Sequence, residues 1–102
     1  MRGKRRALSP TELVTRLATL AGWRLTGDGD DVAIEKAFTF ANYYETMAFV
    51  NAVAFIAHQQ YHHPDLSVHY NRCVVRYSTH DVHGLSESDF ACAARVDALL
   101  TA

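Results

Sequence analysis

The sequence predicts an α+β layer fold: a four-stranded antiparallel sheet with three helices on one face, in the order α-β-β-α-β-β-α. Three observations carry this expectation. Two serine-led helix starts of the same kind stand at Ser9 and Ser86. A long apolar helical stretch lies between them, from Asn42 to Tyr61. Around that stretch, apolar and polar residues alternate with the period of two that half-buried strands require. At 102 residues the chain has the length of one domain. We expect a flexible basic N-terminus over 1–8, carrying Arg2, Lys4, Arg5 and Arg6, and a single domain over 9–102.

The first helix opens with Ser9-Pro10-Thr11-Glu12, a capping box with proline in the first helical position. Leu8 and Leu13 stand where a hydrophobic staple would place them. The helix is expected to run to about Ala21 and stop at Gly22. Trp23 to Thr26 reads as a short strand, and Gly27-Asp28-Gly29-Asp30-Asp31 as a turn. Val32, Ile34, Phe38 and Phe40 alternate with Ala33, Glu35, Ala37 and Thr39, which predicts a strand over 32–40. Lys36 falls on its apolar face and is expected to snorkel at a sheet edge or interface.

Asn42, with Glu45 three residues on, caps a second helix running to about Tyr61. Met47, Val50, Val53, Ala54 and Ala57 make one apolar side. Phe49, Phe55 and Ile56 widen it past a single stripe, so the helix is expected to be buried on two sides, the second against another subunit. The last helix begins at Ser86-Glu87-Ser88-Asp89, with Leu85 placed to staple to Phe90, and runs to about Leu100.

Between these helices lies a hairpin. Leu66, Val68 and Tyr70 alternate with Ser67 and His69. After Asn71-Arg72, Cys73, Val75 and Tyr77 alternate with Val74 and Arg76. A two-residue Asn71-Arg72 loop sets Tyr70 against Cys73, Val68 against Val75 and Leu66 against Tyr77, one continuous apolar face. Extended, the same register sets His63 opposite His80, so two histidine clusters are expected to meet at the open end of the hairpin.

Composition narrows the function. Hydrophobic residues make up 49% of the chain and the net charge is −1, which describes a globular protein and argues against general nucleic-acid binding. No apolar run is long enough to span a membrane, and none follows the basic residues as in a signal peptide. Cys73 and Cys92 lack metal-type spacing and read as buried thiols of a reducing compartment. The expected location is cytoplasmic.

All six histidines lie between His58 and His83, concentrated in His62-His63-Pro64 and Ser78-Thr79-His80-Asp81. Imidazole is the side chain that exchanges protons most readily near neutral pH. Acid–base catalysis needs a donor and an acceptor within reach of one substrate, and His62, His63 and His80 meet that requirement. Metal binding competes: His58 and His62 share a helix face at a spacing of four, and His80 completes a three-histidine zinc set. A histidine held by strand-end backbone is the third reading. His69 reads as a surface residue and His83 as a loop residue near the pocket. Asp81 reads either as a turn residue or as a partner for a histidine or a ligand N–H. Asp89 reads as a helix cap. Backbone groups left unpaired around Ser78 to Asp81 suit a planar polar ligand or water.

Phe38-Thr39-Phe40, the apolar second helix, His62-His63-Pro64, Tyr70-Asn71, Ser78-Thr79-His80-Asp81 and Gly84-Leu85-Ser86 occur in that order in the pterin-4a-carbinolamine dehydratases. The chain resembles that family over nearly its whole length. The resemblance implies a lyase that dehydrates 4a-hydroxytetrahydropterin to quinonoid dihydropterin, recycling the tetrahydrobiopterin cofactor of aromatic amino acid hydroxylases. It implies a functional link to phenylalanine hydroxylase, a homodimer or homotetramer, and no metal or organic cofactor. It implies that His62, His63 and His80 are catalytic, with His63 and His80 flanking C4a and N5. It also implies that Tyr61, His62, His63, Ser78, Thr79, His80 and Asp81 contact the substrate. Three positions about the pocket depart from the family pattern: His58 stands where glutamate is frequent, Leu66 where some members have tryptophan, and His83 where glycine is frequent. Other relatives act without catalysis, as transcriptional coactivators or Rubisco assembly factors. Those that serve only as scaffolds tend to lose the histidines, and this chain has them.

Overall fold

Polar side chains start all three helices. The computed structural model describes residues 5–101. In α1 (Pro10–Leu17), the Ser9 hydroxyl accepts the Glu12 N–H at 3.2 Å and the Glu12 carboxylate accepts the Ser9 N–H at 2.8 Å. In α2 (Tyr43–Gln60), Asn42 Oδ1 accepts the Glu45 N–H at 2.8 Å. In α3 (Glu87–Ala98), Asp89 Oδ2 accepts the Ser86 N–H at 2.9 Å. Each bond satisfies a backbone donor that a helix start leaves unpaired.

Four strands complete the predicted order: β1 (Arg24–Thr26), β2 (Ala33–Thr39), β3 (Asp65–Val68) and β4 (Arg72–Tyr77). They form one antiparallel sheet in the order β1-β2-β4-β3. Its inner face presents Ile34, Phe38, Cys73, Val75 and Tyr77, all buried, to the helices. Trp23, Phe38, Phe49 and Tyr77 form the aromatic centre of that core, with ring centroids 4.8–6.3 Å apart. Burying a side chain of this size contributes about 1.5–3 kcal/mol. Both cysteines are buried as thiols.

Tertiary contacts shorten one helix and rotate another. α1 stops at Leu17, short of Ala21. The chain tightens there through i→i−3 bonds from Thr19 to Arg16 and from Leu20 to Leu17, which carries Leu20 and Trp23 into the core. Gly22 then turns with φ +87 beneath the Lys36 side chain, where a Cβ would meet Lys36 Cε at 2.9 Å. Lys36 is half-buried: its ammonium donates to Ala21 O and Asp97 Oδ1, and Asp97 Oδ2 accepts from Trp23 Nε1. In α2 the buried stripe is Thr46, Phe49, Val53, Ile56 and Ala57, rotated from the expected side, so that Ala54 is exposed.

The hairpin register differs from the expected one by two residues. β3 and β4 pair Leu66 with Val75 and Val68 with Cys73. The His69 N–H bonds to Arg72 O at 2.8 Å, so the loop is Tyr70-Asn71. Tyr70 is drawn out of the strand: its carbonyl lies 3.0 Å from the Thr46 hydroxyl, and its ring stacks on Tyr43. A shift of two preserves the faces of the strands. It also overturns the expected pairing of His63 with His80, because the paired ladder ends at Asp65 and Arg76.

Of the basic N-terminal segment, residues 1–4 lie outside the described residues. Arg6 forms a two-armed pair with Glu12, and Leu8 is buried with its N–H on Leu85 O at 2.8 Å. Among the described residues no helix is long and apolar enough to cross a membrane.

Candidate active site

Both histidine-bearing stretches lie just past the ladder ends of β3 and β4. On the β3 side, Tyr61 closes α2 in the left-handed conformation (φ 51), with its N–H on Ala57 O. Such a residue ends a helix and redirects the chain. His62 therefore points inward and is buried, while Tyr61 and His63 are exposed. On the β4 side, Thr79 bridges Gly84 through two backbone bonds of 2.9 and 3.4 Å. That bridge closes a 3-10 turn, His80–Val82, which holds His80 and Asp81 at the surface.

Asp89 joins the two sides from within. It is fully buried. Its Oδ1 lies 2.6 Å from His62 Nε2, and its Oδ2 accepts from the Thr79 hydroxyl at 2.7 Å and the Ser86 N–H at 2.9 Å. The Ser86 hydroxyl, 2.8 Å from Thr79 Oγ1, completes the chain of bonds by donating to it. With Oδ2 accepting two bonds and Oδ1 facing Nε2, the network assigns the Nε2–H tautomer to His62, its Nε2 donating to Oδ1. The ring also stacks on Tyr77, with centroids 5.6 Å apart and planes 13° apart. Burial, with Cys92 and Asp89 beside it, pushes the Tyr77 phenol well above its ordinary value and keeps it neutral.

The remaining expected site residues differ in their exposure. Ser78 is half-buried, and His58 is exposed on the last turn of α2. Leu66 is half-buried against the core. His83 is exposed in the left-handed conformation (φ 53), with Nδ1 3.9 Å from Asp30 Oδ2. Thr79 turns its side chain inward to Asp89. Among the described residues no group of three or more His, Cys, Asp or Glu side chains gathers in a way that would hold a metal ion.

Two residues of this region do more than their sequence context predicts. Asp89 caps α3 as expected, and the second oxygen it turns to His62 has no sequence signal across 27 positions. Arg5, read only as part of a basic run, donates to Tyr61 O at 2.8 Å and lies 4.0 Å from Asp81 Oδ1. The arrangement offers one buried, oriented imidazole beside two solvent-facing ones. Such a set is able to exchange protons with a ligand seated between the two stretches.

Comparison with known proteins gives a consistent picture. The sequence model of the family described as pterin 4 alpha carbinolamine dehydratase matches residues 6–99. A protein of Paracidovorax citrulli (strain AAC00-1) is 74% identical over 98 residues, covering 96% of this chain and 84% of that one. A protein of Stenotrophomonas maltophilia (strain K279a) is 53% identical over 98 residues, covering 96% and 83%. Both bear the name "Putative pterin-4-alpha-carbinolamine dehydratase". Among solved structures, a transcriptional coactivator/pterin dehydratase from Brucella melitensis superposes with a TM-score of 0.87 at 28% identity, covering 94% of this chain and all of that one. A pterin dehydratase-like RuBisCO assembly factor of the alpha-carboxysome superposes with a TM-score of 0.65 at 29% identity, covering 76% and 88%.

Proposed function

This chain belongs to the pterin-4-alpha-carbinolamine dehydratase family, and on that premise we propose that it dehydrates a 4a-hydroxytetrahydropterin to quinonoid dihydropterin and water by histidine acid–base catalysis. The observation that carries this reading is the His62–Asp89 pair, set beside the exposed His63 and His80. In the reaction the C4a–O bond breaks as the oxygen takes a proton, N5 loses its proton, and a C4a–N5 double bond forms. Imidazoles perform both transfers near neutral pH. His63 and His80 are the donor and acceptor, and His62 supports them through the ring that Asp89 orients. The pterin edge lies along Tyr61, His62 and His63 on one side and Ser78, Thr79, His80 and Asp81 on the other, with His58, Leu66 and His83 about the pocket. Loss of water is redox-neutral, so the reaction needs no oxidant or reductant, and the imidazoles supply both proton transfers without a metal or organic cofactor.

The role that follows is cytoplasmic recycling of the tetrahydrobiopterin cofactor used by aromatic amino acid hydroxylases, phenylalanine hydroxylase above all. A homodimer or homotetramer accounts for apolar side chains that the single chain leaves uncovered: Tyr44 (83% exposed) and Phe55 (61% exposed) on α2, beside Leu99 and Leu100. A binding role on the same fold is the second reading, favoured by the likeness to the Brucella coactivator/dehydratase and the carboxysome assembly factor.

The test is dehydration of freshly generated 4a-hydroxytetrahydropterin by the wild type, His63→Ala and His80→Ala. Both histidines are exposed, so the variants are expected to fold. Each is expected to lose roughly 10²–10⁴-fold in rate. A well-folded wild type without rate enhancement would overturn the reading in favour of a binding role.

A further inference from the structure

The β3–β4 ladder does not fix the spacing of the two histidine-bearing stretches, because pairing ends at Asp65 and Arg76. Two side chains outside the ladder bridge the gap. Asp89 links His62 to Thr79 from the inside. Arg5 is the outer link: Nη2 donates to Tyr61 O at 2.8 Å, and Nη1 lies 4.0 Å from Asp81 Oδ1. Tyr61 immediately precedes His62, and Asp81 immediately follows His80. One cation thus touches both walls of the candidate site.

The geometry suits a fixed spacer. A guanidinium is planar and presents its donors in a rigid fork, so the arm bonded to Tyr61 O sets the direction in which the other arm faces the exposed Asp81 carboxylate, an ion pair at 4.0 Å and not a hydrogen bond. The Arg5 side chain is 21% exposed and its bond to Tyr61 O is charge-assisted, although the residues it faces lie at the surface, where solvent screens part of the interaction. Its backbone is anchored three residues on, where Leu8 is buried and bonded to Leu85 O. The carbonyl it holds belongs to the left-handed residue that ends α2, so the bond sets the peptide plane leading into His62.

We propose that Arg5 is a positioning residue that holds the two histidine-bearing walls at their working separation. This rests on the dehydratase reading above. Arg5 touches no reacting atom. With it in place the pterin meets a site already at the right width. Without it only a fraction of molecules is competent at any moment, and apparent affinity falls by that fraction. The loss belongs in KM, because a bound substrate closes the gap itself.

Steady-state kinetics of the wild type, Arg5→Ala, Arg5→Lys and Arg6→Ala test this. Arg6 leaves the same segment but pairs with Glu12. Arg5→Ala is expected to raise KM roughly tenfold, about what a hydrogen bond to a charged group supplies, with kcat within about twofold. Arg5→Lys is expected to recover part of the loss, and Arg6→Ala to leave KM unchanged. If Arg5→Ala fails to fold, Arg5→Lys still has to show a KM rise on folded protein. An unchanged KM in Arg5→Ala, or an equal rise in Arg6→Ala, overturns the proposal while leaving an active wild type as a dehydratase. A folded but inactive wild type overturns both.

Discussion

His62 Nε2 lies 2.6 Å from Asp89 Oδ1, and Asp89 is wholly enclosed. A carboxylate in that setting is stable only if its lone pairs are used. They are, by an imidazole, a hydroxyl and a backbone N–H. Capping α3 and orienting His62 are thus two tasks of one side chain, and they are physically inseparable. The cap fixes the carboxylate, and the carboxylate fixes the tautomer of the ring.

Asp89→Asn separates the shape of this group from its charge. An amide offers one oxygen where the carboxylate offered two, so one of its three donors is left facing an N–H. Leaving a buried donor unpaired costs about 1–3 kcal/mol. The variant is expected to unfold at lower urea and to lose at least ~10-fold in kcat at temperatures where it is still folded. Nitrogen NMR is expected to show His62 protonated at Nε2 in the wild type and mixed in the variant. An unchanged tautomer with unchanged kcat would mean that Asp89 is a helix cap and nothing more.

What the sequence disclosed, and what it withheld, divides along the range of the interactions. Ser9, Asn42 and Ser86 were legible because a cap acts over three residues. The faces of β3 and β4 were legible because alternation survives any even shift. Their register was not, since Tyr70 is held in the loop by Thr46 and Tyr43 on a different element. The His62, His63 and His80 cluster announced itself by density. Its organisation did not, because the bridging residues Asp89 and Arg5 come from opposite ends of the chain, and each carries a routine local explanation as cap or basic tail.

Tyr77 makes alkaline stability testable. Burial raises its phenol well above the ordinary 10.0, and burial alone raises the Cys73 thiol above 9.0. Both acids stay protonated in the folded state at pH values where the unfolded chain has released them. The unfolded state then binds fewer protons, so stability falls as pH rises, from about pH 9 for Cys73 and about pH 10 for Tyr77. Tyr77 contributes a loss of about 1.4 kcal/mol per pH unit above that point. The neighbour that hydrogen-bonds its buried hydroxyl is the Cys92 thiol, a weak partner, so Tyr77→Phe is expected to cost about 1 kcal/mol or less at pH 7. Urea midpoints from pH 8 to 11.5 are expected to fall less steeply for Tyr77→Phe. Parallel curves would show that the phenol is not shielded.

Glu12 offers an acid-side counterpart at the surface. The two-armed bond from Arg6, followed by the Ser9 N–H, holds its carboxyl down to about 2 against an ordinary 4.5. A depressed carboxyl favours the folded state above its unfolded value, and that preference is lost as pH falls toward about 2. Carboxyl NMR titration is expected to place Glu12 near 2 in the wild type and to move it toward 4.5 in Arg6→Ala. The same midpoint in both proteins would mean that the pair does not persist in solution.

His83 stands where the turn asks for glycine. With φ 53 and ψ 43 it occupies the left-handed region, which costs a residue with a Cβ about 1 kcal/mol or more. Its ring gives little in return: it is exposed, and Asp30, 3.9 Å away, is exposed as well. Glycine relieves the strain but adds freedom to the unfolded chain, so the net gain is smaller. His83→Gly is expected to stabilise by about 0.5 kcal/mol, a rise of roughly 2–4 °C in Tm for a domain of this size. His83→Val is expected to destabilise, since a β-branched side chain tolerates that conformation least. Alanine tests the cause, because it removes the ring and keeps the Cβ. If His83→Ala gains as much as His83→Gly, the imidazole and not the backbone is the source of the cost.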